Sequence, residues 1–138
     1  GAVLPETALY GSDRQEKAVE GARRNLAEAG LTDRAELCQA DALALAATYP
    51  AGFFDALVTN PPYGARLGRG IRFGPFYADL LTQARHLLRP GGRLVVLVRK
   101  RSAFHRALAE AGGFQVRQER MVATSGVYPV AFVLERTG

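Results

Sequence analysis

The sequence predicts an α/β chain in which a mostly parallel sheet lies between helices in three layers and closes on an antiparallel hairpin. Three observations lead there. Short apolar runs alternate with segments of helical spacing through most of the chain. Leu94-Val95-Val96-Leu97-Val98 is continuously apolar, as a central parallel strand covered on both faces must be. The last stretch alternates, with Phe114, Val116 and Val122 in one segment and Val130-Ala131-Phe132-Val133-Leu134 in the next, joined around Ser125-Gly126-Val127-Tyr128-Pro129, which reads as an antiparallel strand pair.

Taken in order, Ala8-Leu9-Tyr10-Gly11 reads as a short buried strand. Asp13-Arg14-Gln15-Glu16 follows with the spacing of a capping box, which starts a helix. That helix has apolar positions Ala18, Val19, Ala22, Leu26 and Ala29, and Gly30 is placed to end it in the left-handed conformation. A second strand over residues 35–39 reaches Asp41, which can cap a short helix from Ala42 to about Ala47. Residues 53–59 form a third strand that must stop at Asn60, because Pro61 and Pro62 lack the backbone donors a ladder needs. After a Gly- and Arg-rich loop over 64–74, a helix with Phe76, Leu80, Leu81, Ala84, Leu87 and Leu88 on one face runs until Arg89-Pro90-Gly91-Gly92 breaks it. Ser102 can cap a further helix through Phe104, Ala107, Leu108 and Ala111, ended by Gly112-Gly113.

At 138 residues the chain suits one domain with one core, and 48% hydrophobic with 22% charged residues is a globular composition. No stretch approaches the ~18 uninterrupted apolar residues of a membrane span, and the first residues lack the features of a signal peptide, so a soluble, cytoplasmic protein is expected. One cysteine excludes an internal disulfide, and two histidines offer no metal-ligand spacing; no metal is expected. The net charge of +5 is uneven. Residues 1–60 carry five Lys+Arg against nine Asp+Glu, and residues 61–138 carry thirteen against four. The basic half is a plausible face for phosphate backbones, although arginines that merely solvate helices would give the same count.

The most specific signal is Asn60-Pro61-Pro62-Tyr63 at the carboxyl end of a strand, where open α/β sheets place their ligands. The prolines fix φ and supply no N–H, so the Asn60 and Pro61 carbonyls stay available as acceptors. Two acceptors that grip the hydrogens of an exocyclic amine favour a pyramidal nitrogen able to attack a methyl group. Their dipoles also stabilise the positive charge that develops there, so no strong general base is required. Tyr63 offers a face for the target base, and such stacking is worth ~1–3 kcal/mol, comparable to the cost of extruding a base. An ordinary strand-ending turn with a solvent-facing tyrosine is the competing interpretation.

Gly11-Ser12-Asp13, Gln39-Ala40-Asp41-Ala42, the run from Phe54 through Asn60-Pro61-Pro62-Tyr63 to Gly68, and Leu88-Arg89-Pro90-Gly91-Gly92-Arg93-Leu94 together resemble a class I methyltransferase with its Rossmann-like sheet. More narrowly, they resemble the catalytic domain of the THUMP-containing tRNA guanine-N2 methyltransferases, over nearly the whole chain and including Gly126-Val127-Tyr128-Pro129. The appended Gly64, Arg66 and Gly68 favour that family over the DNA adenine-N6 enzymes, which share Asn-Pro-Pro-Tyr alone. The resemblance implies S-adenosyl-L-methionine as cofactor and tRNA as partner. Asp13, with the neighbouring Arg14, would bind the cofactor ribose; Asp41 with the Ala42 amide would hold its adenine; and Asn60 would lie against cofactor and target amine. For both aspartates, helix capping is an equally good fit. Arg66, Arg69 and Arg72 are candidate phosphate contacts beside this site.

The family's glycine-rich cofactor loop after its first strand has no counterpart here, and the first strand of this chain corresponds to the family's second. A partial, N-terminally truncated catalytic domain is therefore expected. Its sheet would be gapped, or completed by a missing N-terminal part of the same polypeptide or by self-association, and the chain alone should bind cofactor weakly or not at all. Adenine-N6 methylation of DNA or RNA, and a non-catalytic nucleic-acid-binding module, are the alternative readings.

Overall fold

The computed structural model describes residues 6–61, 72–123, 125–126 and 128–138. The chain divides into two compact units, residues 1–45 and 46–138.

The first unit pairs two parallel strands, β1 (Leu9–Asp13) and β2 (Ala35–Gln39), in a register that sets Leu9 opposite Ala35 and Asp13 opposite Gln39. Between them runs α1 (Glu16–Glu28). Gly30 stops it as expected: its φ is +69° and its N–H bonds the Ala27 carbonyl. The capping box does not form. Gln15 holds the N-cap position without a side-chain bond, and the Asp13 carboxylate instead accepts from the Gln15 N–H at 2.8 Å, a turn closed two residues on. Nor is β1 buried; Val19 alone in this unit is fully enclosed among the described residues. Residues Ala42–Ala47 form the short helix after Asp41, wound as a 3-10 helix.

The second unit carries a four-stranded sheet in the order β3-β4-β6-β5. β3 (Phe54–Thr59) runs parallel to β4 (Leu88–Val98), β6 (Val130–Arg136) is antiparallel to β4, and β5 (Phe114–Met121) is antiparallel to β6. Two helices, α2 (Phe73–Leu87) and α3 (Arg101–Ala111), supply the facing layer. Leu94, Val96 and Val98 of β4 and Val130, Phe132 and Leu134 of β6 are buried, and Val96 stands opposite Phe132 in the register. Against them lie Tyr77, Leu80, Leu81, Ala84 and Leu87 of α2 and Phe104 and Ala107 of α3. Phe104 binds the layers together, with its ring 5.2 Å from Tyr77 and 4.7 Å from Phe132 between centroids.

Three expectations need correction. The apolar run of β4 is fully covered on one face only: within this unit Val95 and Leu97 are half-buried, and Val58 of β3, paired with Val95, is 80% exposed. Arg89-Pro90-Gly91-Gly92 does not separate helix from strand but lies inside β4. The register jumps from Phe54↔Leu88 to Ala56↔Arg93, so these residues bulge out of the ladder. Gly92 is required at the neck of that bulge, where an added Cβ would lie 2.8 Å from the Arg89 carbonyl oxygen and 3.0 Å from that of Asp55. Finally, Ser102 sits inside α3, whose N-cap position is Lys100.

Candidate active site

In the second unit, β3 delivers Asn60 just past its carboxyl end. Phe54 to Thr59 extend as a half-buried strand held in parallel register by β4, and Pro61 forbids a further ladder donor. Asn60 is exposed and Pro61 is buried, so the peptide between them is anchored on its carboxyl side and open on its amino side. No hydrogen bond to the Asn60 side-chain amide forms among the described residues. Pro62, Tyr63, Arg66 and Arg69 lie outside the described residues. Arg72 is described: exposed, it takes the N-cap position of α2 with extended φ and ψ and makes no side-chain cap.

The same end of the sheet gathers further cations. Arg99 and Lys100 follow β4 directly, and the Lys100 ammonium sits 6.0 Å from the centre of the Phe73 ring at the start of α2. Sequence reading passed over this pair. The signal was available in their position, immediately after the most apolar strand, at the carboxyl edge where ligands collect.

In the first unit, Asp13 ends β1 and Asp41 follows the end of β2, so both acids stand at the carboxyl edge of a parallel pair. Their local geometry is alike. One oxygen of Asp13 accepts from Gln15 N–H at 2.8 Å, and one oxygen of Asp41 accepts from Leu43 N–H at 2.9 Å. The Ala40 N–H bonds the Asp13 carbonyl at 3.0 Å, and the Gln39 side chain donates to the Arg14 carbonyl, also at 3.0 Å, which ties the two strand ends together. Asp13, Arg14, Asp41 and Ala42 are all exposed. Turn closure therefore occupies one carboxylate oxygen of each acid and leaves the other with no partner among the described residues. Asp13 closes a turn rather than capping α1, and for both acids the local bond leaves an oxygen for a ligand.

Comparison with known proteins matches residues 2–129 to the family model described as RMKL-like, methyltransferase domain. The chain belongs to that family. It is 38% identical over 132 residues to a tRNA (guanine(6)-N2)-methyltransferase of Thermus thermophilus, covering 96% of this chain and 38% of that protein. It is also 38% identical over 92 residues to the rRNA N(6)-adenosine-methyltransferase metl-5 of Caenorhabditis elegans, covering 67% of this chain and 40% of that one. Among solved structures, TrmN from Thermus thermophilus superposes with a TM-score of 0.83 at 35% identity, over 98% of this chain and 38% of TrmN. The chain thus spans well under half the length of these relatives. Their superposition bears out the Rossmann-like α/β sheet expected from the sequence. Among the described residues no helix is long and apolar enough to cross a membrane, and no group of three or more His, Cys, Asp or Glu could hold a metal ion.

Proposed function

We propose that this chain supplies most of the catalytic domain of an S-adenosyl-L-methionine-dependent RNA methyltransferase that modifies the exocyclic N2 amine of guanine in tRNA. The observation that carries the reading is the exposed Asn60 at the carboxyl end of β3, followed by the buried Pro61. The identity to a tRNA (guanine(6)-N2)-methyltransferase over 96% of the chain supports the choice of base and RNA.

The donor set fits the cofactor. Asp13 and Asp41 each retain a carboxylate oxygen suited to the hydroxyl and amine donors of a nucleoside, and both are exposed on their strand ends. When bound, the cofactor supplies the electrophilic methyl group. The residues of this chain do the rest. Asp13, with Arg14, orients the ribose; Asp41 and the Ala42 amide hold the adenine; the Asn60 side chain and the Pro61-locked carbonyls accept the two hydrogens of the target amine. The backbone carbonyls are set by the prolines and the Asn60 side chain is unspent on any local bond among the described residues, so these dipoles can stabilise the nitrogen as it becomes cationic, an effect worth ~3–4 kcal/mol when one such polar group is removed. The amine proton then passes to water. The reading extends to Pro62 as part of the Asn60-Pro61-Pro62-Tyr63 motif, to Tyr63 as the stacking face for the base, and to Arg66, Arg69 and Arg72 as phosphate contacts.

β3 is an edge strand of its sheet among the described residues, as β5 is at the other side, and because the chain spans well under half the length of its relatives we take a further strand, carrying the glycine-rich loop, to come from elsewhere in a longer polypeptide. Adenine-N6 methylation is the second reading, favoured by the 38% identity to metl-5.

Incubating the full-length polypeptide with labelled cofactor and either tRNA or adenine-bearing rRNA or duplex DNA separates the readings. Label in tRNA guanine is expected; label in adenine alone would select the second reading, and label in neither would leave only a binding module. Asn60→Ala should lower methyl transfer by at least ~10²-fold while RNA retention changes little. Equal loss of both would refute the assigned role.

A further inference from the structure

At the end of the sheet opposite Asn60, the second unit holds a cleft of about 370 Å³ whose lining includes Ala51, Thr82, Arg85, His86, Gly112 and Arg136. It lies where Phe54 pairs with Leu88, at the amino ends of β3 and β4, with the last turns of α2 and α3 around it. The six residues of β3 put it about 20 Å from the candidate active site. Nothing in the proposed methyl transfer uses it.

Its charge is one-sided. No carboxylate lines it, and among the described residues none of Arg85, His86 and Arg136 has an acidic partner, whereas Arg89, Arg101 and Arg117 of the same unit are paired with Asp55, Glu119 and Glu135. Two helix carboxyl ends, those of α2 and α3, face these cations. Each is equivalent to roughly half a negative charge, about one unit together, against two permanently charged guanidiniums. At least one unit of positive charge is left over from the two guanidiniums alone.

The donors are also left over. Arg136 donates one terminal N–H to the Leu88 carbonyl, which fixes its guanidinium; its Nε is buried, so what it can offer the cleft is its other terminal N–H groups. Arg85 is exposed, passes close over Gly113, and spends none of its N–H donors on another described residue. Thr82 already donates to the Ala78 carbonyl at 2.9 Å, so it brings no donor of its own. One guanidinium fixed at the cleft wall, a second that is exposed and unspent, a surplus of positive charge and no competing carboxylate match a tetrahedral oxyanion. The volume, near the lower end of ligand pockets, takes one such group with a small substituent.

We infer that this cleft binds a phosphate group, presented either by an RNA backbone or by a small phosphate ester. The proposal does not rest on the methyltransferase reading. It is tested on the full-length polypeptide by following arginine Nε–H resonances during titration with inorganic phosphate against chloride at matched ionic strength. Saturable shifts at Arg85 and Arg136 are expected, with affinity about tenfold weaker in Arg85→Gln and reduced in His86→Gln, and unchanged in the control Arg101→Gln. Shifts that never saturate, or that are the same in Arg85→Gln and Arg101→Gln, overturn it. Retention of tRNA as salt is raised then identifies the source. A log–log salt slope smaller by about one in Arg85→Gln marks an RNA phosphate, and an unchanged slope alongside lost phosphate affinity marks a small ester. Methyl transfer measured in parallel reports on Asn60 separately, so either idea can fail alone.

Discussion

Replacing Phe104 by alanine tests whether the helical layer lies on the sheet as described. The ring is 0% exposed, edge-on to Tyr77 at 5.2 Å and tilted on Phe132 at 4.7 Å, so truncation opens a cavity among α2, α3 and β6 at once. Core Phe→Ala changes cost ~3–5 kcal/mol, and the loss of two ring contacts places this one near the top, at about 4–5 kcal/mol. Domains have only ~5–15 kcal/mol in total, so the variant should stand close to unfolding. The chain has no tryptophan, so urea unfolding is best followed by circular dichroism. With a slope of ~2 kcal/mol per molar, the midpoint should fall by roughly 2 M. A fall under about 0.5 M, equivalent to ~1 kcal/mol, would mean that Phe104 does not join the three elements. Phe53→Ala is the matched control: that ring is 43% exposed, and the expected loss is no more than ~1–2 kcal/mol.

Gly92→Ala should destabilise by ~1–3 kcal/mol in thermal unfolding, because its Cβ would press on two backbone oxygens that hold the β4 bulge; a neutral result would contradict the bulge. The side-chain hydrogen bond from Arg117 holds the Glu135 carboxyl below its ordinary range, against a smaller opposing effect of burial. The folded form therefore favours the carboxylate. Its contribution to stability is present above the usual glutamate range and is lost as pH falls through the lowered value. Glu135→Gln should accordingly be less stable than the parent at neutral pH and converge with it in acid. A difference that grows in acid would reverse the sign and refute the pairing.

What could be read in the sequence was what local chemistry decides. The apolar spacing of α1, its stop at Gly30, the extent of β2 and the arrest of β3 before two prolines all depend on residues a few positions apart. The corrected features depend on partners far away. Arg89-Pro90-Gly91-Gly92 has the composition of a turn, and only pairing with β3 draws it into a strand as a bulge. The run of β4 announced two apolar faces, but what covers the second face is not encoded within the strand. At the site, the placement of Asn60 was legible because Pro61 acts on its own neighbour. The cleft of Arg85, His86 and Arg136 was not, because it joins residues about fifty positions apart.

The order β3-β4-β6-β5 sets β6 between two strands that precede it in the sequence, with Phe132 and Leu134 wholly enclosed. During synthesis, then, β4 and β5 emerge with a slot between them that nothing yet fills. At ~5–20 residues per second, the interval between completing β4 and completing β6 is seconds, long compared with hydrophobic collapse. For that time the apolar run of β4 waits for the partner that will pair along it, beside a largely polar β5 that is not its neighbour. Both β4 and β5 run antiparallel to β6 and so parallel to each other, joined through α3, and only the arrival of Val130–Arg136 gives the two a common partner.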